Sequence, residues 1–550
     1  MREIGLQRVE RALLFGIVAI PLVITPNLTI DAVNLGKFTL YFLLSFITMY
    51  FSFALLRWNL RSKEIALIGV TLFLGLTMPL ALSGANLDQQ LFGSAGRNLG
   101  LFTHLSNFFV FLWGITLAKR ISKVFLIRCF GITSVISLTY GIAQSLGWDF
   151  VPWKYPHIFG TLGNTNFFGT HTAIIFSMTL GLVLTPYLSR KYWAYISYIL
   201  ISSLYLTLKT EAFQGIVIIG VSTTLSLFIF LRRSGARKSS LVFLLFAISA
   251  GVISFLGIFG LGPLASTLFG EFRTLKIRFY FWQAAIKMFM SSPLYGVGLD
   301  SYGDWYQVSR PDAAYFGGDF GEFADSAHNL FLDYLATGGV SLFLFAVIFS
   351  FFVFRASFRI IYGEANGKSS ELMPYVLGFF GFWLYSLVSP INIGISVWGF
   401  LFAGLTLGSE IDLRERTKIG TSQKNRVPRK TIIAIYTITT LTVSVLAIAP
   451  SLKEYRVIRA QKSGNVKNFV ESINLFPQDA NTLRNGINIL ENAGYYGPSS
   501  KLALRGIQEF PRNYNLIELT SNLKALDSSI RQSLRSQLEK IDPPRLLDRS

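Results

Sequence analysis

The chain has 550 residues with 51% hydrophobic and 15% aromatic side chains, a mean hydropathy of +0.48 and a formal net charge of +20. This composition excludes an ordinary soluble domain, because apolar runs of about 18 residues or more recur, and each is long enough to cross a bilayer as a helix. A single cysteine, Cys129, excludes an intrachain disulfide and disfavours a cysteine-rich metal site.

The hydrophobic runs predict an all-α, polytopic membrane protein with about 13 transmembrane helices. The predicted spans are residues 11–28, 35–56, 64–84, 99–118, 124–147, 167–187, 191–208, 213–231, 240–262, 328–354, 373–389, 394–409 and 430–450. No small-residue cleavage site follows the first run, which is therefore a retained helix rather than a signal peptide. A large polar loop, residues 263–327, separates the ninth span from the tenth.

The basic residues predict the orientation of these spans. Lys and Arg concentrate in alternate loops, with 25 in one set and 9 in the other up to the last span. Because the cytoplasmic loops of membrane proteins carry the excess of Lys and Arg, the N-terminus is predicted to be cytoplasmic. With thirteen spans, the 263–327 loop and the C-terminal segment lie on the outer side. Topology thus explains the positive charge, and nucleic acid is not an expected partner.

The polar C-terminal segment, residues 451–550, has a helical pattern and is predicted to form a small extracytoplasmic domain beside a transmembrane domain of residues 1–450. The pattern Ile-x-x-Phe-Pro-x-x-x-Asn occurs at 473–481 and again at 507–515. This offset of 34 residues is the period of tetratricopeptide helix pairs, although two copies also arise by chance. A tetratricopeptide-like module is predicted, which leans on the membrane domain or on a protein partner.

Residues 325–339 place one titratable histidine at the start of a long apolar helix. Asp325 or Ser326 is the predicted N-cap, so His328 falls in the first turn, where the helix dipole disfavours the imidazolium form. A neutral imidazole at a membrane surface can accept a proton from a hydroxyl group, and the same helix end attracts phosphate. The alternative is an interfacial histidine that only caps the helix or reaches the aqueous surface.

The 263–327 loop adds cations shortly before this histidine. Arg273, Lys276 and Arg278 alternate with aromatic residues at helical spacing. Their segment is predicted to lie on the membrane and to contact anionic lipid head groups. In a sharper interpretation, one of the arginines binds a lipid diphosphate through paired hydrogen bonds.

Two further outer loops carry polar candidates. Arg97 is the only basic residue in its loop of residues 85–98, and His104 follows two helical turns later on the same face. His104 either supports a site or forms a packing hydrogen bond, because a histidine inside a membrane span needs a polar partner. In a later outer loop, Asn164 and Asn166 either form a turn before a helix or line a sugar pocket.

Several familiar catalytic motifs are absent from the sequence. It contains no Walker A lysine motif, no paired metal-ligand histidines and no nucleophile elbow. The chain is therefore expected to use an already activated donor rather than ATP or a bound metal, and neither a metal site nor a cofactor is predicted.

Four segments of the predicted outer face share a pattern with one family. They are Gly-Ser-Ala-Gly-Arg97, residues 160–169, the stretch from Arg278 to Gly298, and the stretch from His328 to Gly339. In their order and topology they resemble the O-antigen ligase and polymerase superfamily of polytopic bacterial membrane proteins, across about residues 10–410. The last two segments are fairly specific together. One departure is the stretch 208–215, where many members carry a Ser-Arg pair and this chain has no arginine.

This resemblance implies a metal-independent, inverting glycosyltransferase of the bacterial inner membrane. It implies transfer of a glycan from a polyprenyl diphosphate carrier, such as undecaprenyl diphosphate, to a hydroxyl group of a lipid, glycan or protein acceptor on the outer face. His328 would be the base that activates the acceptor, and Arg97 and Arg278 would bind the diphosphate. The further candidates for substrate binding are Arg273, Asn329, Asn164 and Asn166. The reaction is either ligation of one polymer or repeated polymerisation.

Two other classes of function remain open. A transporter or flippase for a lipid-linked sugar or a small anion would share the polytopic architecture, but it would place charges at mid-span, where the predicted spans have few. A scaffold that recruits partners through residues 451–550 would need one span rather than thirteen. Transport of a substrate without covalent change would favour the first of these alternatives.

Overall fold

The computed structural model describes residues 2–56, 63–151, 153, 157–185, 190–258, 273–316, 323–363, 370–415 and 429–542. Across these residues every regular element is a helix. Eight of the described helices are long and apolar enough to cross a membrane, which is the architecture of a polytopic, all-α membrane protein. They are Asn34–Ser52, Lys63–Leu82, Leu101–Arg120, Lys123–Ser145, Thr165–Val183, Phe213–Arg233, Leu330–Tyr362 and Ile393–Leu413.

The helices before the C-terminal module follow the predicted order of spans. They are α1 (Arg2–Val18), α2 (Asn34–Leu56), α3 (Lys63–Leu82), α4 (Leu87–Phe92), α5 (Leu101–Arg120), α6 (Lys123–Ser145), α7 (Thr165–Val183), α8 (Trp193–Lys209), α9 (Phe213–Arg233), α10 (Arg237–Ile258), α11 (Arg273–Ser291), α12 (Tyr302–Ser309), α13 (Ala313–Phe316), α14 (Leu330–Tyr362), α15 (Met373–Ser386) and α16 (Ile393–Glu415), with 3-10 turns at Ile20–Leu22, Arg190–Tyr192 and Ser370–Leu372. The first predicted span extends too far, because α1 ends at Val18 and a 3-10 turn containing Pro21 follows. Each other predicted span contains a helix, and the total of thirteen crossings stays a prediction.

Helix α16 lies at the centre of the membrane domain. Its apolar stretch is entirely buried within the protein. It crosses α5 closely, because Gly404 faces the carbonyl oxygen of Phe111, which a Cβ atom would approach to 2.2 Å. Small residues at such a crossing let two backbones pack together by dispersion forces. Since α5 begins just after Arg97, this crossing fixes one wall of the candidate site.

Helix α14 is interrupted at Gly339, whose φ of 65° is left-handed. In a continuous helix the N–H of Val340 would donate to the carbonyl of Ala336, but it donates to Pro293 at 2.9 Å instead. The released Ala336 carbonyl accepts from the N–H of Val297 at 2.9 Å. Irregular backbone at membrane depth is tolerated only where other protein groups form hydrogen bonds with its N–H and carbonyl groups. Backbone hydrogen bonds therefore join the stretch from Arg278 to Gly298 to the stretch from His328 to Gly339, the two segments that together carry the family resemblance most specifically.

The C-terminal module has an apolar core of its own. It is formed by the C-terminal part of α17 (Arg429–Ser463), whose earlier residues Val443 and Ala447 pack in the core of the membrane domain, and by α18 (Val466–Ile473), α19 (Ala480–Asn492), α20 (Tyr496–Glu509), α21 (Tyr514–Ser521) and α22 (Ser528–Ile541). Neighbours in the chain pack in pairs, and Ile473, Ile487 and Leu516 are buried between them. The predicted boundary at residue 450 falls inside the long helix α17. The tetratricopeptide-like fold and the division into two domains stay predictions.

Candidate active site

Three segments meet around Arg97. The first is the loop between α4 and α5 that carries Arg97 itself, the second is the turn before α12 that carries Asp300, and the third is the turn before α14 that carries His328. Each segment precedes a helix, and all three lie on the predicted outer side. The sequence predicted Arg97 and His328 as site residues, and the structure brings their segments together through carboxylates.

Arg97 is held between two carboxylates without being saturated by them. Its Nε lies 3.5 Å from Oδ1 of Asp300 and its Nη1 lies 3.5 Å from Oδ1 of Asp325, and its side chain is 16% exposed. Nη1 is buried and makes no hydrogen bond with the described residues. Burial disfavours the charged form, but Asp300 and Asp325 outweigh that effect and raise the pKa of Arg97. The guanidinium group therefore stays charged and keeps hydrogen-bonding capacity for a ligand.

Asp300 ties the Arg97 loop into a fixed shape. Its Oδ2 accepts hydrogen bonds from the backbone N–H of Ser94 at 2.7 Å and of Leu99 at 3.3 Å. Its side chain is only 2% exposed. A buried carboxylate is stable when it is paired and hydrogen-bonded, and here one carboxylate satisfies both the loop backbone and the arginine within it.

The turn before α14 differs from its predicted form. The N-cap is Asn329, whose side chain accepts from the N–H groups of Phe331 and Leu332, so the prediction of Asp325 or Ser326 is wrong. His328 consequently precedes the cap rather than lying in the first turn. Its φ of 52° is left-handed, a strained conformation for a residue with a side chain.

Asp333, on the first turn of α14, holds this strained backbone in place. Its Oδ1 accepts from the N–H of Ala327 at 2.7 Å, directly before His328. The carboxylate is buried in the same cluster as Arg97 and Asp300. Strain at a defined position persists only where the surroundings impose it, and such positions are frequent in active sites.

The imidazole of His328 is half-buried and lies near two arginines. Its Nδ1 is 3.1 Å from Oγ and 3.3 Å from the carbonyl oxygen of Ser326, and its ring centroid is 5.2 Å from that of Phe281. Burial, followed by the charge of Arg278, lowers the pKa of His328 to about 4. The side chain is therefore neutral near pH 7, because of burial and neighbouring cations.

Arg278 reaches the site from α11. It lies close enough to His328 for its charge to act on the imidazole, and it is half-buried. Burial lowers the pKa of Arg278 below its ordinary value. No ion pair joins it to another residue of the described ranges. Arg273 is the first residue of α11, and its side chain lies outside the described part of the structure.

A small cavity of about 30 Å³ lies between Arg97 and the start of α14. Its walls include Asp300, Asp333 and His104, and the hydroxyl of Tyr334 lies 3.3 Å from Nδ1 of His104. His104 therefore both lines the cavity beside Arg97 and has a hydrogen-bonding partner. The volume is close to that of one water molecule, so a glycan is not accommodated inside it.

The predicted asparagines have local structural roles. Asn164 is the N-cap of α7 and accepts from the N–H of Asn166 at 2.8 Å, and both residues are exposed. The side chain of Asn329 caps α14 and also donates to the carbonyl of Leu387 at 2.8 Å. None of the three lines the cavity beside Arg97. Asn329 nevertheless sets the position of the His328 turn.

Sequence reasoning missed the acidic residues of the site. Arg97 is surrounded by Asp300, Asp325 and Asp333. Their association with Arg97 was not predicted, because they lie far from it in the chain. A signal was present, because the only arginine of a short outer loop needs a counter-charge if it is buried. Among the described residues, no group of three or more His, Cys, Asp or Glu side chains is arranged to hold a metal ion.

The fold and the site together define a class, which is a multi-pass membrane protein with a buried arginine–carboxylate cluster beside a neutral histidine. Residues 196–347 match the model of the family described as O-antigen ligase. The matched range includes Arg278, Asp300 and His328 but not Arg97. A comparison with curated proteins found no match.

The family match supports placing the chain in the O-antigen ligase and polymerase superfamily. It also supports glycan transfer in surface polysaccharide biosynthesis, with a lipid-linked glycan donor and a lipid or glycan acceptor. Together with the apolar helices, it supports a multi-pass protein of the bacterial inner membrane.

Proposed function

We propose that this protein transfers a glycan from a polyprenyl diphosphate carrier to an acceptor hydroxyl group on the outer face of the inner membrane. The observation that carries the proposal is a histidine, neutral near pH 7, next to two arginines, one of which is preorganised by carboxylates. A base and a cationic binding site for a diphosphate leaving group are the two elements that this reaction needs.

His328 acts as the general base. In the tautomer that this role requires, the proton on Nδ1 is donated to the carbonyl oxygen of Ser326, 3.3 Å away, and the lone pair of Nε2 is available. As the acceptor oxygen attacks the anomeric carbon, Nε2 takes its proton, a new carbon–oxygen bond forms, and the bond to the diphosphate oxygen breaks. A single displacement of this kind inverts the configuration at the anomeric carbon.

Arg97 and Arg278 bind the diphosphate and stabilise the charge that develops when it leaves. Nη1 of Arg97 makes no hydrogen bond with the described residues, and Arg278 has no ion pair within the described ranges. Both guanidinium groups are planar donors that suit phosphate oxygens. Because these cations supply the electrostatic stabilisation, the proposed reaction uses no metal ion. Asn329 contributes by fixing the turn of His328 rather than by contacting the glycan.

The test is a product profile of the purified protein. It is given a polyprenyl-diphosphate oligosaccharide, with and without a candidate acceptor, and the glycans are separated by size. A ladder of repeats from the donor alone identifies a polymerase, whereas a single transferred glycan that requires the acceptor identifies a ligase or a protein glycosyltransferase. No covalent change under either condition contradicts the proposal, and transport of the intact donor into sealed vesicles would then establish the alternative.

A further inference from the structure

The C-terminal module contacts the membrane domain through the two turns that carry the sequence repeat. The first docking turn, residues 474–481, joins α18 to α19, and the second docking turn, residues 510–515, joins α20 to α21. These are the two places where the Phe-Pro pattern occurs. Both turns that carry the repeated pattern therefore take part in the contact, although Arg512 and Asn513 of the second turn lie at variable positions of the pattern.

The first docking turn binds the loop that leads to Arg97. The ring of Phe476 packs edge to face on Phe92 with centroids 5.3 Å apart. The backbone N–H of Gln478 donates to Oδ2 of Asp88 at 2.7 Å, and Nδ2 of Asn481 donates to the carbonyl of Ala95 at 3.1 Å. The last of these contacts lies two residues before Arg97, in a loop that has no regular structure of its own.

The second docking turn binds the segment that carries Asp300. Nδ2 of Asn513 donates to Oδ1 of Asp304 at 2.8 Å, and the guanidinium of Arg512 lies 3.9 Å from the ring centroid of Trp305. The other oxygen of Asp304 accepts from Nε2 of Gln89 at 2.9 Å. Asp304 thus joins the module to helix α4 of the membrane domain.

Gln89 completes the connection to the site. Its Nε2 donates to the carbonyl oxygen of Asp300 at 3.0 Å as well as to Asp304, and its side chain is buried. Oγ of Ser94 donates to the same carbonyl at 3.1 Å. A continuous series of hydrogen bonds therefore runs from Asn513 through Asp304 and Gln89 to the backbone carbonyl of Asp300, whose side chain pairs with Arg97.

A buried ion pair anchors the far end of the module. Nη2 of Arg310 lies 2.7 Å from Oδ2 of Asp542, and their side chains are 3% and 0% exposed. Removing one partner of a fully buried ion pair strongly destabilises the folded protein. The pair therefore favours the single orientation of the two surfaces in which both charges are paired. The module therefore contacts the membrane domain at this ion pair as well as at the two docking turns.

We propose that the C-terminal module is a positioning element of the active site, in which Asn481 and Asn513 hold the Arg97 loop and the Asp300 turn in register for a diphosphate ligand. The role assigned to Arg97 rests on the proposed function. The two asparagines touch no reacting group and act through the loop. A module that only recruited a partner would need no polar contacts with the segments that form the site.

The direct test exchanges the two partners of one hydrogen bond. Asn513→Asp keeps the side-chain oxygen that caps α21 at the N–H of Leu516 but places a carboxylate against Asp304. The expected result is a transfer rate lowered about tenfold or more, since small displacements of positioned groups have large kinetic effects. Adding Asp304→Asn restores the bond, because the new amide can donate to the introduced carboxylate while still accepting from Gln89. The double variant is therefore expected to recover most of the rate.

Asn522→Ala is the matched control. Its side chain donates only to the carbonyl of Glu518 in its own helix, so the variant removes an asparagine from the module without touching the docking turns. Amide hydrogen exchange of residues 86–99 in the full-length protein gives a readout that does not depend on turnover. Exchange there is expected to rise in Asn513→Asp and in Asn481→Ala, and to stay unchanged in the control.

The outcomes separate this inference from the proposed function. Unchanged exchange at 86–99 in both asparagine variants, or a double variant no better than Asn513→Asp, overturns the positioning role. If the unsubstituted protein makes no product from the donor, the proposed function fails, and the exchange measurement alone then decides whether the module positions this loop.

Discussion

The two arginines near His328 are held in opposite ways. Arg97 lies in a loop whose backbone is fastened to Asp300, and it has carboxylates on two sides. Arg278 extends from a helix and has no ion pair with any described residue. Arg97 is thus part of the network that holds the fold together, whereas Arg278 is held mainly by its helix. Substitutions of Arg97 should therefore lower stability and activity together, whereas substitutions of Arg278 should lower activity alone.

The largest effect is expected from a substitution of Arg97, the arginine that is fastened to the scaffold. Arg97→Ala leaves the carboxylate of Asp300, only 2% exposed, without its cation. Removing one partner of a buried pair costs about 3–5 kcal/mol, so both thermal stability and glycan transfer should fall sharply. Asp325→Asn is the control, because that carboxylate is 64% exposed and its pairing should contribute less than about 1 kcal/mol. Equal melting temperatures for the two variants would contradict the scaffold role.

A second substitution is expected to disrupt the packing between the segment that follows Arg278 and the helix that follows His328. Gly296 has a φ of 67°, and a Cβ atom there would lie 2.5 Å from the carbonyl oxygen of Ala336 on α14. Gly296→Ala should cost roughly 3 kcal/mol or more, from backbone strain and steric overlap together. Gly84→Ala tests the strain alone, because Gly84 has a φ of 68° with no atom within 4 Å of the added group. Equal decreases in the melting temperatures of the two variants would contradict the packing argument.

The third prediction concerns the less tethered arginine. Arg278→Ala should lower the transfer rate by about 10²–10³-fold, the effect of removing one donor to developing negative charge, while the melting temperature stays nearly unchanged. Lys287→Ala on the same helix is the control, since it removes an exposed cation whose ammonium donates only to the carbonyl of Val308. Similar losses in both variants would indicate a general membrane anchor rather than a site.

The smallest expected effect is a shift in pH dependence. His328 accepts a proton in its neutral form, so transfer should be retained above its pKa and lost as the pH falls through about 4. The charge of Arg278 helps to lower that pKa. Its removal should therefore move the acid limb of the pH–rate profile upwards, towards the ordinary value of 6.5. A limb that does not move in Arg278→Ala would show that the two side chains are not electrostatically coupled.

Much of the fold was accessible from the sequence because long apolar runs have few alternatives to membrane helices. The order of the helices followed from these runs, and the all-α class is confirmed. The bounds were less accurate where short polar or proline-containing turns end a run, as after Val18. The orientation in the membrane stays a prediction, since it rests on the distribution of basic residues.

The site was predictable only in part. His328, Arg97 and Arg278 stood out because the chain has only four histidines and its predicted outer loops carry few basic residues, and the segments of the three converge in the structure. The identity of the helix cap was not decided by sequence, because Asp, Ser and Asn all cap well and Asn329 competes with two neighbours. The carboxylates around Arg97 required tertiary structure. So did the surface by which the module docks, because the sequence predicted only that the module leans on the membrane domain or on a protein partner.

The most direct test of the central claim is the glycan transfer rate of His328→Ala in lipid nanodiscs, measured with a polyprenyl-diphosphate donor beside the unsubstituted protein. His157→Ala, which changes an exposed histidine in a different loop, is the matched control. The expected result is a rate lowered by about 10²–10⁴-fold in His328→Ala, the contribution of a general base, with the control near full activity. A folded His328→Ala protein that transfers glycan at the normal rate would contradict the assignment.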